Sequence, residues 1–247
     1  MKSTADIFIA CAGWSISSAY ASHPLLSQAG SHLQRYAAAL PAVEINSSFY
    51  RPHQPKTYAR WRDTTPAGFR FSVKIPRTIT HFKKLIGVGD LLDDFLGEVT
   101  HLGEKLGCLL LQLPPTLAFD AAVAGSFFHV ARGKTPVKLM CEPRHPSWFS
   151  SEANALLAAH NVSRVIADPP PVPIALQAPP PVSDAVYLRL HGSPEIYRST
   201  YSAAYLDSLG QWINLQREAG LSVWCVFDNT ANGAALGNAL YLLSCIR

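Results

Sequence analysis

VKLMCEPRHPSWF, residues Val137 to Phe149, decides how the chain must be read. Its first half has the period of a strand: Val137, Leu139 and Cys141 share one face, and Glu142 lies on the other. Pro143 then removes a donor and ends the pairing. The strand therefore stops on Glu142, with Arg144 and His145 immediately beyond it. A single ending of this kind can be a solvated turn. Several such endings that meet in space make a site.

The same form recurs outward from this stretch in both directions. Toward the N-terminus stand IFIACA (Ile7–Ala12), AVEINS, FRFSVKIP and CLLLQLPP; toward the C-terminus stand SRVIADP, AVYLRLHG and SVWCVFDN. Helix-patterned stretches separate them: SHLQRYAAAL, PKTYARWRD, LLDDFLGEVTHLGEKL, AAVAGSFFHVA, SSEANALLAAH, AAYLDSLGQWINLQREAG and GAALGNALYLLSCI. Serine can cap the helix after the fifth strand, and Gly220 stands where a helix C-terminus favours glycine. One unit departs from the alternation. PPPVPIALQAPPP, between the sixth and seventh strands, cannot be a regular helix and is expected to run extended in place of the sixth one. Eight βα units predict an α/β chain folded as a single (β/α)8 TIM-type barrel, one domain over residues 1–247. An open doubly wound sheet is the alternative.

Bulk composition narrows the function classes. The 247 residues are 48% apolar and 15% charged, enough for a full core and unlike a disordered segment. A net charge of +4 is far from that of a nucleic-acid-binding tail and slightly favours an anionic ligand. The five cysteines form no C-x-x-C pair and sit mostly in apolar runs, which fits a reduced, cytoplasmic compartment. The apolar stretch near the N-terminus is short and interrupted by Asp6, unlike a signal peptide, and no run suits a membrane span.

Parity shows what the strands carry. Glu44 and Asn46 stand opposite Val43 and Ile45; Arg70, Ser72 and Lys74 opposite Phe71, Val73 and Ile75; Gln112 opposite Leu109, Leu111 and Leu113. Asp168 stands opposite Val165 and Ala167, and Tyr187, Arg189 and His191 opposite Val186, Leu188 and Leu190. The apolar faces suit helices. The polar faces are expected to look inward, with their ionisable groups at the C-terminal rim where barrel enzymes hold their active sites. Asp228 and Asn229 both follow the eighth strand, and parity leaves open which one faces the pocket.

CAGW, VEINSSFY, FSVKIP with ITHFKKL, LLQLPP, EPRHPSWF, RLHG followed by Tyr197, and FDN with its later glycine and NAL occur in an order that resembles the DUF72/YecE-like family. The resemblance runs from about Phe8 to Leu243. It implies a barrel fold without an established activity. It implicates Trp14, Glu44, Asn46, Tyr50, Lys74, Gln112, Glu142, Arg144, Trp148, Asp168, Arg189, His191, Tyr197 and Asn229. Cys11-Ala12 and Asp228 depart from the family pattern, which has Thr-Ser and asparagine there.

The chemistry of these residue types suggests a metal-independent enzyme, a hydrolase or lyase, acting on a small anionic substrate of phosphorylated or carbohydrate-like type. No cofactor is called for. Glu142 and Asp168 are the expected proton-transfer pair, with His191 as a third carrier and Glu44 beside them. Arg144, Arg189 and Lys74 would fix the anion; Asn46, Gln112 and Asn229 would orient it; Trp14, Tyr50, Trp148 and Tyr197 would stack on it. The same cations can instead neutralise Glu44, Glu142 and Asp168 in a buried network. Lys74 as an imine-forming lysine requires a depressed pKa, against the pull of nearby carboxylates. The acids and His191 could instead bind a divalent metal, although the adjacent cations oppose one. Arg51, His53, Lys83, Lys84 and Arg198 leave a nucleic-acid-binding protein or nuclease as a second class, and a non-catalytic ligand-binding barrel as a third.

Overall fold

Short runs of branched and aromatic residues become strands because their apolar faces need cover, and the sequence itself caps most of the helices that supply it. The computed structural model describes residues 5–20, 22–24, 26–27, 29–174, 180 and 184–246. Among them the strands are β1 (Ile7–Cys11), β2 (Ala42–Ile45), β3 (Arg70–Lys74), β4 (Leu106–Gln112), β5 (Lys138–Glu142), β6 (Val162–Arg164), β7 (Ile166–Asp168), β8 (Ala185–Leu190) and β9 (Ser222–Phe227). The helices are α1 (His32–Ala39), α2 (Pro55–Asp63), α3 (Gly89–Val99), α4 (Ala121–Lys134), α5 (Ser151–Ala159), α6 (Ala203–Glu218) and α7 (Ala234–Cys245).

Ser31 and Gln34 form a reciprocal capping box on α1, and Asp120, Ser150 and Ser202 accept from first-turn N–H groups of α4, α5 and α6. The third helix is shorter than its pattern predicts. It ends at Val99 and continues as a 3-10 segment, where Gly103 turns the chain at φ 57°. The Pro-rich segment lies partly outside the described residues, at 175–179 and 181–183. Its described residues, 169–174 and 180, contain no α-helix.

Every strand pair is parallel. The expected single barrel is resolved as two sheets, ordered β1-β9-β8-β7 and β2-β3-β4-β5-β6. The sixth expected strand is split: Val165 interrupts it and donates its N–H to the Cys141 carbonyl at 2.8 Å. The chain thus leaves one sheet as β6 and enters the other as β7. At the opposite boundary Ala12 bridges Glu44, and the Gly13 N–H donates to the Glu44 carbonyl at 2.9 Å. Tyr36 of α1 pins that boundary. Its hydroxyl accepts from the Cys11 N–H at 2.8 Å and donates to the Ala42 carbonyl at 3.0 Å.

Two apolar clusters follow from strand parity. The larger lies under the helices and takes in Val43, Phe71, Leu109, Leu139, Leu188 and Cys225. The smaller joins inner faces of both sheets through Ala10, Ala42, Cys108, Leu110, Met140, Val165, Tyr187 and Trp224. Trp224 stacks on Tyr187 at 6.1 Å and leans on Phe8 at 4.5 Å. It fills so much of this space that a Cβ on Gly107 would lie 2.4 Å from its ring. Directly beyond this apolar floor the inner faces turn polar. Four of the cysteines are buried and all five are free, and among the described residues no helix is long and apolar enough to cross a membrane.

Candidate functional site

Arg189 is the hub of the polar layer. It sits on β8 one inward step beyond Tyr187, fully buried, and all three of its guanidinium nitrogens have carboxylate partners. Nε and Nη2 grip Glu44 of β2 as a fork at 2.9 and 2.7 Å, and Nη1 reaches Glu142 of β5 at 3.1 Å. Nη2 also lies 3.2 Å from Asp228, just past β9. The Tyr187 hydroxyl donates to Glu44 at 2.8 Å and accepts from Ser72 of β3 at 2.9 Å. One guanidinium therefore ties together strands of both sheets. Burial alone would lower its affinity for a proton, but the three carboxylates raise it well above the ordinary arginine value.

His191 completes the layer. It is fully buried, with Nδ1 3.0 Å from Asp228 Oδ2 and Nε2 2.9 Å from Glu142 Oε1. Arg144 closes over it, with Nη2 2.6 Å from the same Glu142 oxygen and 2.7 Å from His191 Nε2. Two proton arrangements satisfy this geometry. A neutral ring can donate from Nδ1 to Asp228 and accept from Arg144 at Nε2; a protonated ring donates to both carboxylates. Burial pushes the Glu142 carboxyl up, but Arg189, the His191 hydrogen bond and Arg144 together hold it far below the usual range. Asp228 is likewise raised by burial and lowered, on balance, by Arg189 and His191. Both are ionised at neutral pH.

The chain turns sharply over this layer. Gly192 has φ 95°, and a Cβ there would meet Ser199 O, Glu195 O and Asn229 Cβ at 3.0–3.2 Å. Its N–H donates to the Tyr201 hydroxyl at 2.9 Å. The loop then folds back so that the Tyr197 N–H donates to the His191 carbonyl, and the Tyr197 ring sits edge-on to the imidazole at 5.9 Å. Tyr197 is 46% exposed, so it stands between His191 and solvent.

Lys74 ends β3 on the same inner face. It is 5% exposed, and its Nζ lies 4.2 Å from the centre of the Phe49 ring. Among the described residues Nζ has no carboxylate within ion-pair distance and no hydrogen-bond partner, because the nearby acids are turned onto Arg189, Arg144 and His191. Burial and Arg189 bring its pKa down to about 8, against the upward pull of Glu44, Glu142 and Asp228. The sequence-based objection, that carboxylates would keep this lysine charged, is outweighed by desolvation.

The remaining expected residues divide. Asp168 stands apart: it is in register with Leu190, whose face packs outward, while Ala167 is in register with Arg189. Strand six thus turns Val165 inward and its acid outward, where Asp168 accepts from Tyr201 at 2.7 Å. Parity relates residues within a strand, but polarity at a strand end does not fix which face is inside. Trp148 is 1% exposed, donates to the Leu117 carbonyl at 2.9 Å and packs on Phe119, so it is loop core. Asn229 donates to Ser199 O and Asn238 Oδ1, both at 2.9 Å, and ties down the Tyr197 loop. Asp228, left level with it by the sequence, is the member of the charged layer.

Trp14 packs edge-on against Trp61 at 5.0 Å, and Tyr50 is an exposed ring beside Phe49. Gln112 pairs in register with Glu142, and Asn46 follows β2 with its Oδ1 buried and without a hydrogen-bond partner among the described residues. His145 is a turn residue: its Nδ1 accepts from the Ser147 N–H at 3.2 Å. Ser72, Tyr187 and Phe49 support the site without having been singled out for it. Their roles depend on contacts across the sheets that no local pattern displays. Among the described residues no three His, Cys, Asp or Glu side chains are arranged to hold a metal ion. A cleft of about 630 Å³ is lined by Phe49, Tyr50, Pro52, Leu91 and Glu98.

Comparison with known proteins agrees with this architecture. A family described as protein of unknown function DUF72 matches residues 8–247. The UPF0759 protein YecE of Escherichia coli (strain K12) is 32% identical over 171 residues, covering 66% of this chain and 62% of that protein. The match thus spans less than two thirds of that relative. The UPF0759 protein YunF of Bacillus subtilis (strain 168) is 22% identical over 96% of this chain and 93% of its own. A crystal structure of a DUF72 family protein from Thermotoga maritima has a TM-score of 0.78 at 25% identity, covering 97% of this chain and 98% of its own. One from Enterococcus faecalis has a TM-score of 0.77 at 20% identity, covering 97% and 95%. With the match running through every strand that carries the charged layer, the chain belongs to the DUF72 family, as an α/β protein built on parallel sheets.

Proposed function

We propose that this protein is a metal-independent acid–base enzyme for a small anionic substrate, with its site at the C-terminal ends of one closed (β/α)8 barrel. The closure, and with it a single domain, is supported by the Ala12–Glu44 bridge on one side and by the passage through Val165 on the other. With β6 and β7 taken as one interrupted strand, the order becomes that of an eight-stranded barrel.

The observation that carries the functional reading is His191, held between two buried carboxylates with Arg144 against its Nε2. Asp228 fixes the ring through Nδ1, and Nε2, beside Glu142 and Arg144, is the nitrogen assigned to proton transfer. Glu142, ionised and held by Arg189 and Arg144, is the second carboxylate that orients the ring. Asp168, on the outer face, takes no part. Arg144 is the anion contact: it is partly exposed, and its Nε is buried without a hydrogen-bond partner among the described residues. Arg189 is saturated by Glu44, Glu142 and Asp228 and acts as the scaffold. Tyr197 would cover a bound substrate, with Asn46 and Gln112 at the rim.

Small phosphorylated and carboxylated compounds should be screened for turnover by mass spectrometry, and for binding by calorimetry. Arg144→Ala should weaken binding at least tenfold, and His191→Gln should abolish turnover while leaving binding. Binding indifferent to Arg144, or turnover that survives His191→Gln, would sink the proposal. Saturable binding without turnover of any compound would leave a ligand-binding barrel in its place.

A further inference from the structure

We propose that Lys74 is the covalent carbonyl-binding residue of this site, forming an imine with the keto or aldehyde group of a small anionic substrate. The inference rests on the anion-binding reading above and adds to it the functional group on which the substrate reacts.

A buried lysine normally finds a carboxylate. Around Lys74 stand Glu44, Glu142 and Asp228, yet each is taken up by Arg189, Arg144, His191 or Tyr187. Lys74 Nζ is left against the face of Phe49, among the described residues without a hydrogen bond or an ion pair. Leaving a cation there costs stability and does not tie the fold together, since the strands are already joined through Arg189. What the arrangement does supply is an amine with unused donors and a free lone pair once it loses a proton, in a largely water-excluded position. Desolvation brings its proton affinity down to about 8, so a substantial fraction is neutral near physiological pH. Relative to an exposed lysine, the neutral fraction at pH 7.5 is larger by a factor of roughly 200. Arg189 keeps a further cation on this side, which also favours the neutral amine.

The step balances without an oxidant or reductant. The Nζ lone pair attacks the carbonyl carbon, and the C=O π pair moves to oxygen, which takes a proton. Nitrogen gives up a proton, the hydroxyl leaves as water, and a protonated C=N bond remains. From the ammonium form, the two hydrogens lost by nitrogen leave in that water molecule. The resulting cation would lie in the field of Glu142 and Asp228, which are already ionised.

The test is reductive trapping. The protein is incubated with pyruvate, and separately with uncharged propionaldehyde, at pH 7.5 in sodium cyanoborohydride, then digested and mapped by mass spectrometry. Adduct on the Lys74 peptide is expected at least tenfold faster than on the exposed Lys83 and Lys84, and absent in Lys74→Arg. Labelling of Lys74 by propionaldehyde but not pyruvate would keep the reactive amine and remove the anion-binding reading. Arg144-dependent binding of pyruvate with no adduct on Lys74 would remove the imine and keep that reading. Lys74 labelled no faster than Lys83 and Lys84 by either probe overturns the inference.

Discussion

Replacing Arg189 by methionine separates the scaffold from the chemistry and tests how the two sheets are held together. The side chain is fully buried, and its removal leaves Glu44, itself fully buried, with only the Tyr187 hydroxyl on its carboxylate. Breaking a buried pair in this way costs about 3–5 kcal/mol, most of it from the carboxylate left without its cation. For a chain of this length that lowers Tm by about 6–20 °C. Thermal and urea unfolding followed by circular dichroism measure it directly. Glu44→Gln should be destabilising by itself, and the double variant should lose less than the sum of the singles, with a coupling of about 1–3 kcal/mol.

The pH dependence gives an independent check. Glu142 and Asp228 have folded values below their ordinary ones. Their stabilisation is therefore complete above the usual carboxylate range and is lost as pH falls through the folded values. In Arg189→Met, burial is opposed only by Arg144, His191 and Lys74, so both carboxyls move up. The gap in stability between variant and wild type should then narrow as pH falls through the variant's raised carboxyl values. An Arg189→Met protein within about 1 °C of wild type, or a gap that widens in acid, would refute the role given to this guanidinium.

Lys74→Met should raise stability at pH 7, since a value of about 8 in place of the ordinary 10.5 corresponds to about 3 kcal/mol of unfavourable burial. The wild type should gain that stability as pH rises from 8 to 10.5, where the unfolded chain still holds the proton. A Lys74→Met protein less stable than wild type in urea would show that the lysine is structural. Tyr36→Phe should cost about 1–3 kcal/mol, because the Cys11 N–H and the Ala42 carbonyl both lose their buried partner. An unchanged urea midpoint would show that the β1–β2 boundary does not depend on that hydroxyl. Gly107→Ala should be destabilising by more than about 1 kcal/mol, since its Cβ would fall 2.4 Å from Trp224; unchanged near-ultraviolet dichroism and Tm would contradict that packing.

Much of the architecture could be read from the residues because it is set by local period. Alternation in AVEINS, FRFSVKIP and VKLMCEP placed Glu44, Lys74 and Glu142 on the face opposite the helix-packing residues, and the structure buries all three there. Caps at Ser31, Asp120, Ser150 and Ser202 are likewise written into short stretches. Which face of strand six looks inward was beyond that reasoning. The pairing of Ala167 with Arg189 and of Asp168 with Leu190 decides it, and register is a relation between strands. The same holds for Asp228 over Asn229, since Asp228 meets Arg189 and His191 only after β9 has paired with β8.

The sequence by itself determined an alternating α/β chain whose strand ends carry acids, cations and a histidine. Only the tertiary structure decided how those charges are shared. Arg189 takes three carboxylates, Arg144 and His191 share Glu142, and Lys74 is left without any of them. The physical reason is that periodicity assigns a side chain to a face at no distance at all. Whether an ionised group is paired or stranded depends on a few ångströms between residues on different strands, as far apart in the chain as Glu44 and Arg189.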